Sequence, residues 1–160
     1  MDRYKILVAD DDQTIHDYLN DALKEHEIFF VYNIKEEKKI LLSENFDIIV
    51  QDIQMIEKEN EEMTDLYAGF NIIKEFEDKG LIQTNDPVVW YISREKKYNV
   101  PFARSSNRDL TNYREKGKTE EWWSKFSRVV LTYMKDNHAQ NRVSAKQVHP
   151  EVIDVMENKL

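Results

Sequence analysis

Two short apolar runs, each ending in aspartate, constrain this chain more than any other feature. Ile6-Leu7-Val8-Ala9 runs into Asp10-Asp11-Asp12, and Ile48-Ile49-Val50-Gln51 runs into Asp52. Each run reads as a short buried strand of a parallel sheet. In an open α/β sheet, ligands bind beyond the carboxyl ends of the strands. Both runs therefore deliver carboxylates to one edge. Carboxylates gathered there raise one another's pKa unless a cation joins them. The economical reading is a site for a hard divalent cation, Mg²⁺. Taken alone, the triple-Asp run reads equally well as a helix-capping loop; an ordinary strand-end turn residue is the lesser reading of Asp52. Their conjunction argues for a site.

Bulk properties narrow the function classes. A chain of 160 residues suits one domain. A net charge of -8 argues against non-specific binding to nucleic acid or to an anionic membrane. With no cysteine there is no disulfide framework, zinc-thiolate site or thiol nucleophile. No apolar run is long enough to span a bilayer and no signal-peptide pattern opens the chain, so a soluble cytoplasmic protein is the expectation. The stretch 138–160 is too short for a DNA-binding domain and carries no basic recognition helix. The four histidines show no metal-ligand spacing.

Periodicity places the elements. Strands are expected at Lys5–Ala9, Ile28–Tyr32, Phe46–Gln51, Pro87–Ser93 and Tyr113–Lys116. A helix after Asp12 or Thr14 carries Ile15, Tyr18, Leu19, Ala22 and Leu23. A short helix spans Glu36–Leu42, and another Phe70–Asp78, which Gly80 can terminate. The stretch 56–68 is irregular and acidic. Glu95–Asn112 reads as a weak helix or an ordered loop. Glu120–Asp136 is strongly amphipathic through Trp122, Trp123, Phe126, Val129, Val130, Tyr133 and Met134. A further helix is possible after Pro150. The alternation of strands and helices predicts a parallel sheet covered on both faces.

Over about Lys5 to Asn137 these residues resemble the receiver domain of bacterial two-component response regulators. Ile6–Asp12 is similar to the family's first strand ending in two acids, here Asp10 and Asp11. Phe46–Met55 is similar to its third strand ending in the phospho-acceptor, here Asp52. Ser93 falls near the family's hydroxyl residue, and Tyr113-Arg114-Glu115-Lys116 resembles its aromatic residue three positions before a lysine. The resemblance implies a flavodoxin-like (βα)5 three-layer α/β sandwich with strand order 2-1-3-4-5, a receiver at 1–137 with an insertion within about 56–68, and a tail at 138–160. It implies Mg²⁺ on Asp10, Asp11 and Asp52, phosphorylation of Asp52 by a sensor histidine kinase or phosphotransfer protein, Lys116 and Ser93 on the phosphoryl group, and Tyr113 as a rotating packing readout. Enzymatic activity is then limited to slow autodephosphorylation. Output goes to a downstream protein or a fused effector, with a homodimer allowed.

The chain departs from the family in several places. Ile56 stands where the family has proline, and Gly117 follows the lysine where it again has proline. Lys118 rivals Lys116, and Ile92 rivals Ser93 for the hydroxyl slot. Lys116 also reads as a solvated surface lysine, and Tyr113 as a fixed core aromatic. A pseudo-receiver, with the same fold acting as a phosphorylation-independent interaction module, is the competing function. A Mg²⁺-dependent phosphohydrolase would need an acid two residues past the nucleophile, and Gln54 occupies that place.

Overall fold

The structure, a computed structural model, describes residues 3–63, 65–83, 86–94 and 112–148. Two compact units divide the chain, residues 1–124 and 125–160. The first contains a five-stranded sheet of β1 (Lys5–Ala9), β2 (Glu27–Val31), β3 (Ile48–Asp52), β4 (Val88–Ser93) and β5 (Tyr113–Glu115), in the order β2-β1-β3-β4-β5. All four strand pairings are parallel. The helices α1 (Gln13–Ala22), α2 (Ile34–Ser43) and α3 (Ala68–Asp78) connect the strands. This is the flavodoxin-like topology expected from the sequence. The chain steps outward from β1 to β2, then back past β1 to β3 and on to β4. Right-handed crossovers therefore put α1 on one face and α2 and α3 on the other. The order reverses between β1 and β3, where ligands bind in such sheets.

The strands are apolar on both faces because both are covered. Leu7, Ala9, Ile49, Val89, Tyr91 and Tyr113 share one core cluster with Ile34 and Leu41 of α2 and Phe70, Ile73 and Phe76 of α3. Ile6, Val8, Ile48, Val50, Trp90 and Ile92 alternate with them and are equally buried.

Element boundaries shift where polar caps decide them. β2 ends at Val31, one residue short of expectation, because the Tyr32 N–H donates to the Glu36 carboxylate at 2.8 Å. α2 begins at Ile34 rather than Glu36. Asn33 caps it, its side-chain oxygen accepting from Glu36 N at 2.9 Å. The N–H groups of Ile34 and Lys35, which lack partners within the helix, donate to the carbonyls of Ile56 and Glu57 at 2.9 Å each. The start of the irregular acidic stretch is thereby fastened to α2. Gly80 follows α3 with a φ of 72°, the left-handed conformation that ends helices.

Helix α4 spans Glu120–Val148, well past the expected end at Asp136. No glycine or proline interrupts this span. Its residues from Lys125 onward belong to the second unit. Phe126, Val130 and Met134 are buried as expected, but Val129 is exposed. The residues expected to form a weak helix or loop after Glu95 lie outside the described residues as far as position 111, as does the helix after Pro150. No helix among the described residues is long and apolar enough to cross a membrane.

Gly117 has a local explanation. Trp122 packs against it, so a Cβ there would meet the indole at 2.0 Å, and the Gly117 carbonyl accepts from Trp123 Nε1 at 3.2 Å. No proline fits this position. Gly117→Ala should displace Trp122 and cost about 1–3 kcal/mol, the usual range for overpacking. An altered tryptophan emission spectrum together with a lower urea midpoint is the expected result.

Candidate functional site

β1 and β3 are neighbours in register, with Ala9 opposite Gln51. The next residue on each is an aspartate, so Asp10 and Asp52 emerge side by side at the carboxyl edge. Both side chains are essentially without solvent exposure, at 0% and 1%. Asp11 follows on the loop and is half-buried. One carboxylate oxygen from each of the three lies within 4.8 Å of the others. The loop is held in shape by its own carboxylates. Asp10 Oδ1 accepts from Asp12 N at 2.9 Å, and Asp12 Oδ1 accepts from Thr14 N at 2.9 Å to cap α1.

Lys116 closes the cluster. Its backbone N–H donates to the Ser93 carbonyl at 2.7 Å, which extends the β4–β5 ladder by one step. Its Nζ then lies 2.9 Å from Asp10 Oδ2 and 3.1 Å from Asp52 Oδ2, with the side chain 7% exposed. Lys118 is exposed. The rivalry between the two lysines is thus decided by position: Lys116 is the one among the acids.

Burial, then Asp10, pushes the Asp52 carboxyl well above the usual carboxylate range, and Lys116 pulls it back only in part. Partial burial and Asp10 likewise raise Asp11, while Lys116 and Arg94 oppose the rise. Burial works against the Lys116 charge, yet Asp52 and Asp10 override it and hold the ammonium above its ordinary value. One lysine therefore does not neutralise the cluster. Apart from that ammonium, Asp10 Oδ2 and Asp52 Oδ2 have no hydrogen-bond partner among the described residues. Three carboxylates with spare lone pairs form the hard-oxygen donor set that Mg²⁺ takes, so these residues fit such an ion.

Ser93 is buried, and its hydroxyl donates to Gln54 Oε1 at 2.9 Å. Gln54 in turn donates its backbone N–H to Asp52 Oδ1 at 3.2 Å. Ser93 is linked to Asp52 through that one residue, whereas Ile92 lies opposite Asp52 in the ladder and offers no hydroxyl. Tyr113 is buried in the core cluster beside Tyr91, its partner in register.

The structure adds residues that sequence reasoning passed over. Arg94 lines a cavity of about 240 Å³ at the mouth of the cluster with Asp11, Gln54, Met63 and Leu66. Met63 and Leu66 are exposed apolar side chains of the irregular stretch. No periodic signal marks a single arginine just past a strand. Gly69 comes so close to the Asp52 carbonyl that a Cβ would lie 1.8 Å from it. Glu37 of α2 is fully buried and accepts from Gln51 Nε2 at 3.0 Å, one residue from Asp52. Burial raises its pKa to about 8.

No family profile and no curated protein matches the chain. Solved structures do. The receiver domain of the Francisella response regulator 1452 superposes with a TM-score of 0.58 at 19% identity, covering 82% of this chain and 99% of that one. The chemotaxis response regulator CheY4 of Vibrio cholerae gives 0.61 at 17% identity over 81% and 99%. The phosphorylated cyanobacterial phytochrome response regulator RcpA gives 0.61 at 15% identity over 81% and 91%. At such identities the likeness concerns architecture. In its strand order, its parallel pairing and its structural neighbours, this chain has the fold of the response-regulator receiver domain.

Proposed function

We propose that the chain is a signalling receiver that accepts a phosphoryl group on Asp52 from a phosphohistidine on a sensor kinase or phosphotransfer protein, with residues 1–137 as the receiver and 138–160 as its tail. The observation that carries this reading is the Lys116 ammonium between the Asp10 and Asp52 carboxylates. An interaction module indifferent to phosphorylation has no use for a buried, cross-linked charge cluster. The phosphorylated state of RcpA, a protein of the same fold, agrees with it.

Phosphoryl transfer needs positioning and charge neutralisation more than it needs a base. An Asp52 carboxylate oxygen forms the new bond to phosphorus, and the phosphorus–nitrogen bond breaks with its electron pair leaving on the donor imidazole, which takes up a proton. Asp10, Asp11 and Asp52 would hold Mg²⁺, which supplies positive charge against the phosphoryl oxygens. Lys116 gives up its ion pair with Asp52 and meets the phosphoryl group instead. Ser93 exchanges Gln54 for a phosphoryl oxygen, and Tyr113 registers the change in packing. Return to the resting state is slow hydrolysis of the acyl phosphate. Output is a downstream protein or a fused effector, in the cytoplasm.

Phosphoramidate with Mg²⁺ tests the reading. Intact mass should show one phosphoryl adduct, and excess EDTA should prevent it. Lys116→Met, which keeps the aliphatic stem, should slow its formation by about 100-fold, the usual loss on removing one preorganised electrostatic contact. An adduct that forms equally well with EDTA and with Lys116→Met would contradict it.

A further inference from the structure

One buried titratable group beside the acidic cluster has no part in the chemistry above. His16, on the first turn of α1, is 1% exposed. Its ring stacks on Tyr32, with centroids 4.3 Å apart and planes at 23°, and meets Phe30 edge-on at 4.8 Å. Tyr32 is held in turn by its hydroxyl, which donates to Gln13 Oε1 at 2.8 Å. The ring is therefore fixed by two neighbours at the end of β2, one of which is held in turn from α1. His16 Nε2 lies 2.5 Å from the Asp10 carbonyl oxygen. A carbonyl only accepts, so the hydrogen sits on Nε2. Nδ1 is buried without a partner among the described residues. A histidine that leaves one buried nitrogen unsatisfied is an expensive way to fill a core. The contact that offsets this is the one to Asp10.

That contact fixes a plane. The peptide unit from Asp10 to Asp11 is rigid. Its carbonyl is tied to His16, while the Asp10 N–H is tied to Val31 O at 3.1 Å and Asp10 Oδ1 to Asp12 N at 2.9 Å. The orientation of this peptide sets how the Asp11 carboxylate is presented relative to that of Asp10. We propose that His16 is a positioning residue for the divalent-cation site: through its Nε2–H bond to the Asp10 carbonyl it locks the Asp10–Asp11 peptide so that the two carboxylates converge. It does not touch the ion. Hydrogen-bonded groups behind metal ligands commonly contribute ten- to a hundredfold in affinity. This inference rests on the proposed cation site.

Isothermal titration of the metal-free protein with MgCl₂ tests it, alongside urea unfolding of each variant. His16→Leu and His16→Gln both lose the aromatic stacking, but only glutamine keeps an N–H donor of similar reach. His16→Leu should bind Mg²⁺ about tenfold more weakly or worse, and His16→Gln should recover most of that loss even though both unfold at lower urea. If His16→Leu does not fold, His16→Phe keeps the stacking, lacks the donor and should show the same weakening. Equal weakening in the leucine and glutamine variants, or wild-type affinity in the leucine or phenylalanine variant, overturns the positioning role. Failure of the wild type to bind Mg²⁺ would remove the cation site itself, and the inference with it.

Discussion

Glu37 should account for about 5 kcal/mol of folding stability lost as pH rises from below 4.5 to above 8, and Glu37→Gln should remove that contribution. Glu37 has an ordinary pKa of 4.5, and burial in the fold raises it to about 8. The folded state therefore binds a proton more tightly than the unfolded chain. The corresponding stability is complete below pH 4.5 and disappears as pH rises through 8. Each unit of difference corresponds to about 1.4 kcal/mol, which gives the total. The structure supplies the reason. Glu37 lies in the core with one hydrogen bond, from Gln51 Nε2, and its Oε2 has no partner among the described residues. A neutral carboxylic acid is tolerated there, and a carboxylate is not. Glutamine keeps the shape and cannot ionise. Other titrating groups are common to both proteins, so the difference in urea midpoint at each pH isolates Glu37. The variant should be markedly more stable above pH 7, with the gap closing toward pH 4.5. A gap that does not change with pH would mean that Glu37 is already ionised in the fold.

Gly69→Ala should cost about 3 kcal/mol, at the top of the usual range for overpacking. The added Cβ would lie 1.8 Å from the Asp52 carbonyl oxygen, 2.9 Å from its carbonyl carbon and 2.8 Å from Gln51 Nε2. Two of these are backbone atoms of β3, which no side-chain rotation can move. The Gly69 N–H is also committed, donating to Ile53 O at 2.9 Å. Helix α3 must withdraw, or the end of β3 must shift, and either change moves Asp52. Phosphorylation of the variant should therefore slow as its stability falls. Gly80→Ala is the control. Gly80 has a φ of 72° and nothing within 4 Å of its would-be Cβ, so only the left-handed conformation is penalised, by about 1–2 kcal/mol. Equal urea midpoints for the two variants would refute the close-approach account.

The sheet and most of the acidic cluster were legible in the sequence because the signals are local. Ile6–Ala9 and Ile48–Gln51 are continuous apolar runs, and a parallel sheet covered on both faces turns such runs into central strands. The residue after each run must emerge at the same edge, and Asp10 and Asp52 do. Lys116 was legible only as one of two lysines, since its place between the carboxylates depends on a single ladder bond from its N–H to Ser93 O. Gly117 reads as a departure in sequence, and the ring of Trp122 packed against it gives the reason. His16 carried no signal, because one histidine on an apolar helix face has the pattern of any core residue, and its role comes from a carbonyl six positions earlier. Glu37 was hidden for the opposite reason. A glutamate in a charged helix looks solvated, and only the pairing with Gln51 across the core shows that it is not.

In the proposed receiver, Asp52 is the residue that carries the phosphoryl group. The measurement that tests it most directly is reductive trapping. Protein phosphorylated with phosphoramidate and Mg²⁺ is treated with borohydride, which converts an aspartyl phosphate to homoserine, and is then mapped by peptide mass spectrometry. Homoserine at position 52, absent from unphosphorylated protein and from Asp52→Asn, is the predicted result. Homoserine at Asp10 or Asp11, or an adduct that persists in Asp52→Asn, would contradict it.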